Sequence, residues 1–131
     1  MILVDSSAWI EFFRGTDSSV DARLQGLLRS DQELITTQPV LLELLAGTQE
    51  PAHGVRIRRT LAGCRMEPVS SAHDWEGAAD LYVTCRRSGT TPRRLFDCLI
   101  AAVAIRAGVP VLARDRDYEL ISQHTSLRLA A

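Results

Sequence analysis

The sequence predicts an α/β fold in which helices cover both faces of a parallel sheet. Short apolar runs that suit buried strands alternate with longer segments in which apolar residues recur at helical spacing. This alternation is typical of parallel sheets, whose strands are buried on both faces. The chain has 131 residues, of which 46% are hydrophobic, and this is enough for one domain with one sizeable core. We therefore predict a single domain over residues 1–131, without a linker, repeat or low-complexity segment.

The strands are expected to be short, because the apolar runs are short. The first run ends directly at Asp5. Pro68 makes the third strand short or places it at the sheet edge, since proline cannot donate a hydrogen bond to a neighbouring strand. The expected strands are residues 2–4, 33–36, 64–69 and 110–113, with a further short one at 127–129.

Capping residues mark the ends of the helices that connect these strands. Ser6 or Ser7 can cap the first helix, and Pro39 lies at the start of the third. Ser71 with Asp74 resembles a capping box for the fifth. One face of that fifth helix is expected to consist of Trp75, Ala78, Ala79, Tyr82 and Cys85. The expected helices are residues 6–14, 19–29, 37–46, 52–63, 71–88 and 95–107, and residues 115–122 form a short helix or turn.

Composition excludes several classes of function. All fifteen basic residues are arginine, so a phosphate-binding loop and Schiff-base chemistry, which both need a lysine, are excluded. Three cysteines without paired spacing (Cys64, Cys85 and Cys98) predict neither a disulfide nor a zinc cluster, and they suit a reducing cytoplasm. No apolar run reaches the roughly 18 residues of a membrane span, so no membrane association is expected.

Four acidic residues lie in or beside apolar runs. These are Asp5, Glu43, Asp97 and Asp115, in the segments ILVD, LLELL, LFDCLIAA and VPVLARD. A carboxylate beside a buried element is costly unless its charge is compensated. Asp5 and Asp115 each follow a strand, and ligands of open α/β sheets bind beyond the carboxyl ends of the strands. We therefore expect the four acids to converge on one metal site.

Each acid also has an ordinary structural explanation. Asp5 can cap the first helix, and Asp97 can be stabilised by the dipole of the helix that it begins. Glu43 can face solvent on an amphipathic helix, and Asp115 can be a turn residue. Taken together, these explanations do not account for four acids placed at related points of the fold.

An all-oxygen acidic cluster suits Mg²⁺ or Mn²⁺, which are hard cations that prefer carboxylate ligands. Such ions generate a nucleophile from water and orient a phosphodiester, and two of them about 4 Å apart are the usual arrangement in nucleases. No His, Cys or Ser nucleophile is then required.

Three segments resemble the PIN-domain ribonucleases, specifically the VapC toxins of bacterial toxin–antitoxin pairs. They are ILVDSSAWIEFFRG, TTQPVLLELLAG and RRLFDCLIAAVAIRAGVPVLARDRDYELI, in the order and spacing of that family. The resemblance covers almost the whole chain. It implies a PIN-like three-layer α/β/α sandwich with a small central, mainly parallel sheet.

The resemblance also implies a function. It implies a Mg²⁺-dependent endoribonuclease, with Mn²⁺ as a substitute, that cleaves transfer RNA or another structured RNA. The implied partners are an RNA substrate and a cognate VapB-type antitoxin that blocks the site. The implied assembly is a homodimer or a toxin–antitoxin hetero-oligomer.

The resemblance assigns roles to individual residues. Asp5, Glu43, Asp97 and Asp115 are all expected to be catalytic acids and metal ligands, with Asp5 and Asp97 as the principal ligands. Glu43 and Asp115 complete the pocket and are expected to be able to hold a second ion, and Asp117 is an alternative or additional metal ligand. The family often has Thr or Ser before the final acidic string, where this chain has Ala113, so the choice between Asp115 and Asp117 stays open.

Residues beside these acids are expected to support the site. Ser6 is expected to donate a hydrogen bond within it. Arg93 and Arg94 precede Asp97 and are candidates for RNA phosphate contacts, although solvated residues at a helix entry are an equally ordinary interpretation.

Other classes of protein fit the sequence less well. A receiver-type phosphoacceptor domain needs a lysine, and a haloacid-dehalogenase-like phosphatase needs Asp-x-Asp after the first strand, where this chain has Asp5-Ser6-Ser7. The remaining alternative is an RNA- or antitoxin-binding module with little or no turnover.

Overall fold

Four short strands form one parallel sheet across the described part of the chain, residues 1–130. The last residue of the predicted domain, Ala131, lies outside the described residues of this computed structural model. The strands are β1 (Ile2–Val4), β2 (Leu34–Thr36), β3 (Arg65–Met66) and β4 (Val111–Leu112). The helices are α1 (Ser6–Arg14), α2 (Ser19–Leu28), α3 (Gln38–Ala46), α4 (Pro51–Leu61), α5 (Asp74–Arg87), α6 (Leu95–Ala107) and α7 (Arg116–His124).

The strand order is β3-β2-β1-β4, so β2 and β3 are added on one side of β1 and β4 on the other. Leu3 lies opposite Ile35 of β2 on one side and opposite Val111 of β4 on the other. The chain passes from β1 to β2 to β3 in one direction and then returns to β4 at the far side of β1. The carboxyl ends of β1 and β4 therefore flank the topological switch point, where open α/β sheets bind their ligands.

Helices form the outer layers because every strand connection is parallel and needs a crossover. Right-handed crossovers in opposite directions place α1–α4 on one face of the sheet and α5 and α6 on the other. Between the layers the core includes Leu3, Val4, Trp9, Ile100 and Val103, all fully or almost fully buried. The predicted three-layer α/β/α sandwich with a small parallel sheet is confirmed, and α6 is the central helix that its apolar sequence predicted.

The strands at the two edges of the sheet, β3 and β4, are shorter than expected. β3 has two residues rather than the six of 64–69, and it lies at the sheet edge, as Pro68 predicted. The expected strand at 127–129 was wrong: Leu129 makes only an isolated parallel bridge to Val111.

Two capping predictions were wrong. The cap of α1 is Asp5, one residue before the predicted serines, and its side chain accepts from the Ser7 N–H. The Ser71–Asp74 capping box does not form. Instead Asp74 accepts a hydrogen bond from the Ser70 N–H at 2.6 Å, and its two oxygens accept from the Arg106 guanidinium at 2.9–3.1 Å.

The buried face of α5 also differs from the prediction. Ala78 and Cys85 are buried as expected, whereas Trp75 is 58% exposed and Ala79 is exposed. Asp74, 1% exposed, takes an inward position on α5 and pairs with Arg106 of α6. Among the described residues, no helix combines the length and apolar character that a membrane span requires.

Candidate functional site

Asp5 is fixed at the end of β1 by hydrogen bonds to both carboxylate oxygens. Its Oδ2 accepts from the Ser7 N–H at 3.0 Å and from the Ser7 hydroxyl at 2.6 Å, and its Oδ1 accepts from the Tyr118 hydroxyl at 2.7 Å. The side chain is 2% exposed. Helix capping is therefore real but accounts for only one of the two oxygens.

Asp97 is buried in the first turn of α6 and is not fully paired. It is 2% exposed, and its Oδ2 has no hydrogen-bond partner among the described residues. Burial, followed by repulsion from Asp5 and then Asp115, raises the pKa of Asp97 to about 8. A buried carboxylate oxygen without a donor is costly, so this position calls for a cation.

Asp115 and Asp117 lie beside Asp97. Asp115 caps α7 through a hydrogen bond from the Asp117 N–H at 2.9 Å. One oxygen from each of Asp97, Asp115 and Asp117 lies within 4.8 Å of the others, so these three could hold a metal ion. Oxygen ligands alone, in a group this tight, fit a hard divalent cation.

Glu43 lies next to this group on α3. Its Oε1 accepts from the Ser6 hydroxyl at 3.0 Å, and its Oε2 lies 3.6 Å from the Arg94 guanidinium. The Glu43 side chain is 20% exposed rather than solvent-facing. Burial first, and then the Asp5 charge, raise the pKa of Glu43 despite the opposing effects of Ser6 and Arg94. The structure therefore brings all five predicted acids to one place, with Asp5 and Glu43 outside the tight group of three.

Arginine side chains cover the acids from the solvent side. Arg93 donates its backbone N–H to Asp117 at 2.9 Å, and its guanidinium contacts Asp117 at 3.4 Å and Asp115 at 3.2 Å. The side chains of Arg93 and Arg94 are nevertheless 67% and 64% exposed. They are placed beside the acids and remain accessible to a phosphate.

An open cavity of about 310 Å³ lies beside two of the acids, Asp5 and Asp115. Its lining includes Asp5, Ser6, Ser7, Glu11, Arg114 and Asp115. The Arg114 guanidinium pairs with Glu11. The rim of the cavity thus presents both acidic and basic groups, which suits a metal together with a polyanion.

Ser7, Tyr118 and Arg114 are site residues that the sequence did not indicate. Ser7 donates to Asp5 and accepts from the Arg114 N–H at 2.8 Å, so its hydroxyl, and not one at Ala113, ties the end of β4 to Asp5. Nothing in the sequence separates Ser7 from Ser6. Tyr118 has the spacing of an ordinary buried helix residue.

Comparison with known proteins places the chain in a family. A family model of the PIN domain matches residues 2–123. Ribonuclease VapC11 of Mycobacterium tuberculosis and VapC ribonuclease Mb1587 of Mycobacterium bovis are each 37% identical over 132 residues, covering all of this chain and 98% of the relative.

Solved structures have the same fold. VapBC2 from Rickettsia felis, bound to a DNA fragment from its promoter, matches with a TM-score of 0.79 and 16% identity over 99% of this chain and 98% of that one. VapC20 of Mycobacterium tuberculosis, described as a toxin that cleaves the sarcin–ricin loop, matches with a TM-score of 0.70 and 22% identity over 98% and 99%. The resemblance drawn from the sequence is confirmed: the chain belongs to the PIN-domain family and, within it, to the VapC ribonucleases.

Proposed function

We propose that this chain is the toxin of a VapBC-type toxin–antitoxin pair and acts as a Mg²⁺-dependent endoribonuclease. The observation that carries the proposal is the buried, unpaired Oδ2 of Asp97 within the group formed with Asp115 and Asp117. That group lies at the switch point of the sheet, directly beyond β1 and β4. A purely binding surface would not need a buried carboxylate that destabilises the folded protein, so turnover is favoured over a binding module.

The acids divide into two roles in this proposal. Asp97, Asp115 and Asp117, whose oxygens lie close together, would hold the cation, with Asp117 oriented by Arg93. Asp5, whose charge acts on Asp97 and which lines the same cavity as Asp115, would be a further ligand. When bound, Mg²⁺ would lower the pKa of a coordinated water molecule and polarise a phosphate oxygen. Glu43, whose pKa is raised by burial and by Asp5, is the acid best suited to accept a proton from an attacking water.

The arginines at the rim suit RNA phosphates. The guanidinium groups of Arg93 and Arg94 contact acids of the pocket, and both side chains are largely exposed to solvent. A guanidinium can exchange a carboxylate for a phosphate oxygen with little loss of energy, because both accept its paired N–H donors. Transfer RNA or another structured RNA is the proposed substrate, and a relative of the same fold is described as cleaving the sarcin–ricin loop.

A protein partner belongs to the proposal as well. Several structural neighbours are complexes of a toxin with its antitoxin. This chain exposes Leu42, Trp75 and Leu95 at 56%, 58% and 64%, which is apolar surface that a cognate VapB-type antitoxin or a second copy could cover. The proposed location is the bacterial cytoplasm, and the proposed assembly is a homodimer or a toxin–antitoxin hetero-oligomer.

Cleavage of total transfer RNA and ribosomal RNA tests the proposal. Purified protein is incubated with each RNA in Mg²⁺, in Mn²⁺ and in EDTA, and the ends of the fragments are sequenced. The comparison uses Asp97→Asn and a matched control, Asp80→Asn, whose acid is exposed on α5. We expect fragments with one defined end that depend on the metal, persist in Asp80→Asn and disappear in Asp97→Asn. RNA binding without cleavage, or cleavage that survives Asp97→Asn, would contradict the proposal.

A further inference from the structure

Tyr118 connects two elements of the acidic pocket that are far apart in sequence. It lies in the first turn of α7, is 1% exposed, and donates its hydroxyl to Oδ1 of Asp5 at 2.7 Å across 113 residues. Its ring packs in the main core cluster. The same turn of α7 carries Asp115 and Asp117, so Tyr118 couples the first acid to the last two.

The Tyr118 hydrogen bond is half of a clamp on the Asp5 carboxylate. The other oxygen accepts from the N–H and hydroxyl of Ser7, at 3.0 and 2.6 Å. With both oxygens held, the carboxylate plane cannot rotate without the loss of a buried hydrogen bond. Asp97 differs, since its Oδ2 has no partner among the described residues.

We propose that Tyr118 is a positioning residue that fixes the orientation of the Asp5 carboxylate for a divalent cation. The inference rests on the proposed function of the pocket and extends it to a residue that touches neither cation nor substrate. Partners of a metal-ligating carboxylate that hold it in place typically change metal affinity by about 10- to 100-fold when they are removed. The simpler interpretation is that the Tyr118 hydroxyl only needs a partner because it is buried.

The two interpretations differ in what Tyr118→Phe changes. This variant keeps the ring in the core and removes only the hydroxyl. Tyr82→Phe is the matched control, since Tyr82 is a half-buried tyrosine on α5, which carries none of the acids of the pocket. Mn²⁺ affinity is measured from the free-ion signal in electron paramagnetic resonance, and the melting temperature is measured in EDTA.

A positioning role predicts that Tyr118→Phe weakens Mn²⁺ binding by about tenfold. The melting temperature in EDTA should change by about 5 °C or less, as for a single hydrogen bond in a chain of this size. Tyr82→Phe should bind Mn²⁺ as wild type does. Equal Mn²⁺ affinity in Tyr118→Phe and Tyr82→Phe would overturn the inference.

A double-mutant comparison checks that Tyr118 acts through Asp5. In an Asp5→Ala background the hydroxyl has no carboxylate to orient, so adding Tyr118→Phe should weaken Mn²⁺ binding no further. A full tenfold loss in that background would refute positioning through Asp5. If wild-type protein itself binds no divalent cation, the proposed function fails and the inference fails with it; if wild type binds and Tyr118→Phe binds equally, only the inference fails.

Discussion

Replacing Asp97 with asparagine should stabilise the metal-free protein at high pH. The pKa of Asp97 is about 8 in the folded state against an ordinary value of 3.8, because the carboxyl is buried beside Asp5 and Asp115. Between these two values the folded state holds a proton that the unfolded state has released. The free energy of unfolding of the wild type therefore falls as pH rises from about 4 to 8.

The size of the effect follows from the pKa difference. At about 1.4 kcal/mol for each pKa unit, the full difference sets an upper limit of roughly 5–6 kcal/mol at pH 8. The repulsion is shared among several carboxylates, and water that enters the pocket weakens it. We therefore expect Asp97→Asn to be more stable than the wild type at pH 8 by on the order of 2–4 kcal/mol of unfolding free energy. The introduced asparagine side chain would be nearly isosteric with the protonated acid, and the variant would not lose stability in this range.

Urea unfolding of wild type and Asp97→Asn at pH 5 and pH 8 in EDTA measures this difference. The advantage of Asp97→Asn should be small at pH 5 and largest at pH 8, and Asp80→Asn should show no such trend. Millimolar Mg²⁺ should stabilise the wild type at pH 8 and shrink the advantage, because the proposed cation site forms only in the folded state. A wild type as stable as Asp97→Asn at pH 8 in EDTA would refute the electrostatic reasoning.

Three further outcomes are expected. Arg106→Ala should lower the free energy of unfolding by about 3 kcal/mol at pH 7, because it leaves Asp74 buried without its ion-pair partner. Burial alone would raise the pKa of Asp74, but its hydrogen bonds, first that from Arg106, lower the pKa below its ordinary value. The loss of unfolding free energy caused by Arg106→Ala, measured in urea, should therefore shrink below pH 4. An equal loss at pH 3 would count against this. Arg94→Ala should weaken RNA binding and reduce the slope of log affinity against log salt by about 1, measured by filter binding, and an unchanged slope would exclude a phosphate contact. Cys98, whose pKa is raised to about 12 chiefly by burial, should react with a thiol reagent only after unfolding, and rapid reaction of the native protein would contradict its burial.

The convergence of the acids could be predicted because it depends on topology. Asp5 and Asp115 each follow a parallel strand, and parallel strands end at the same edge of the sheet. Asp97 could be placed because it lies in the first turn of a helix that is apolar nearly all round and therefore central. These inferences need only the element type and the position of a residue within the element.

The remaining contacts depend on how helices rotate and pack. Trp75 was expected inside, because it shares an apolar stripe with residues that are buried. In the structure the neighbouring Asp74 is buried and paired with Arg106, and Trp75 is exposed. The Tyr118–Asp5 hydrogen bond joins opposite ends of the chain and leaves no periodic signal. Helical spacing in the sequence identifies which residues can form an apolar face. It does not reveal that a polar residue outside that face, such as Asp74, is buried and paired with Arg106 of another helix.

Divalent-cation binding tests the central claim most directly, because it does not depend on which RNA is the substrate. Mn²⁺ titration by electron paramagnetic resonance is compared for wild type, Asp97→Asn and Asp80→Asn, with folding verified by circular dichroism. We predict saturable binding to wild type and Asp80→Asn, and binding to Asp97→Asn that is at least about tenfold weaker. Equal binding by all three proteins, or no binding by any, would contradict a metal site built around Asp97.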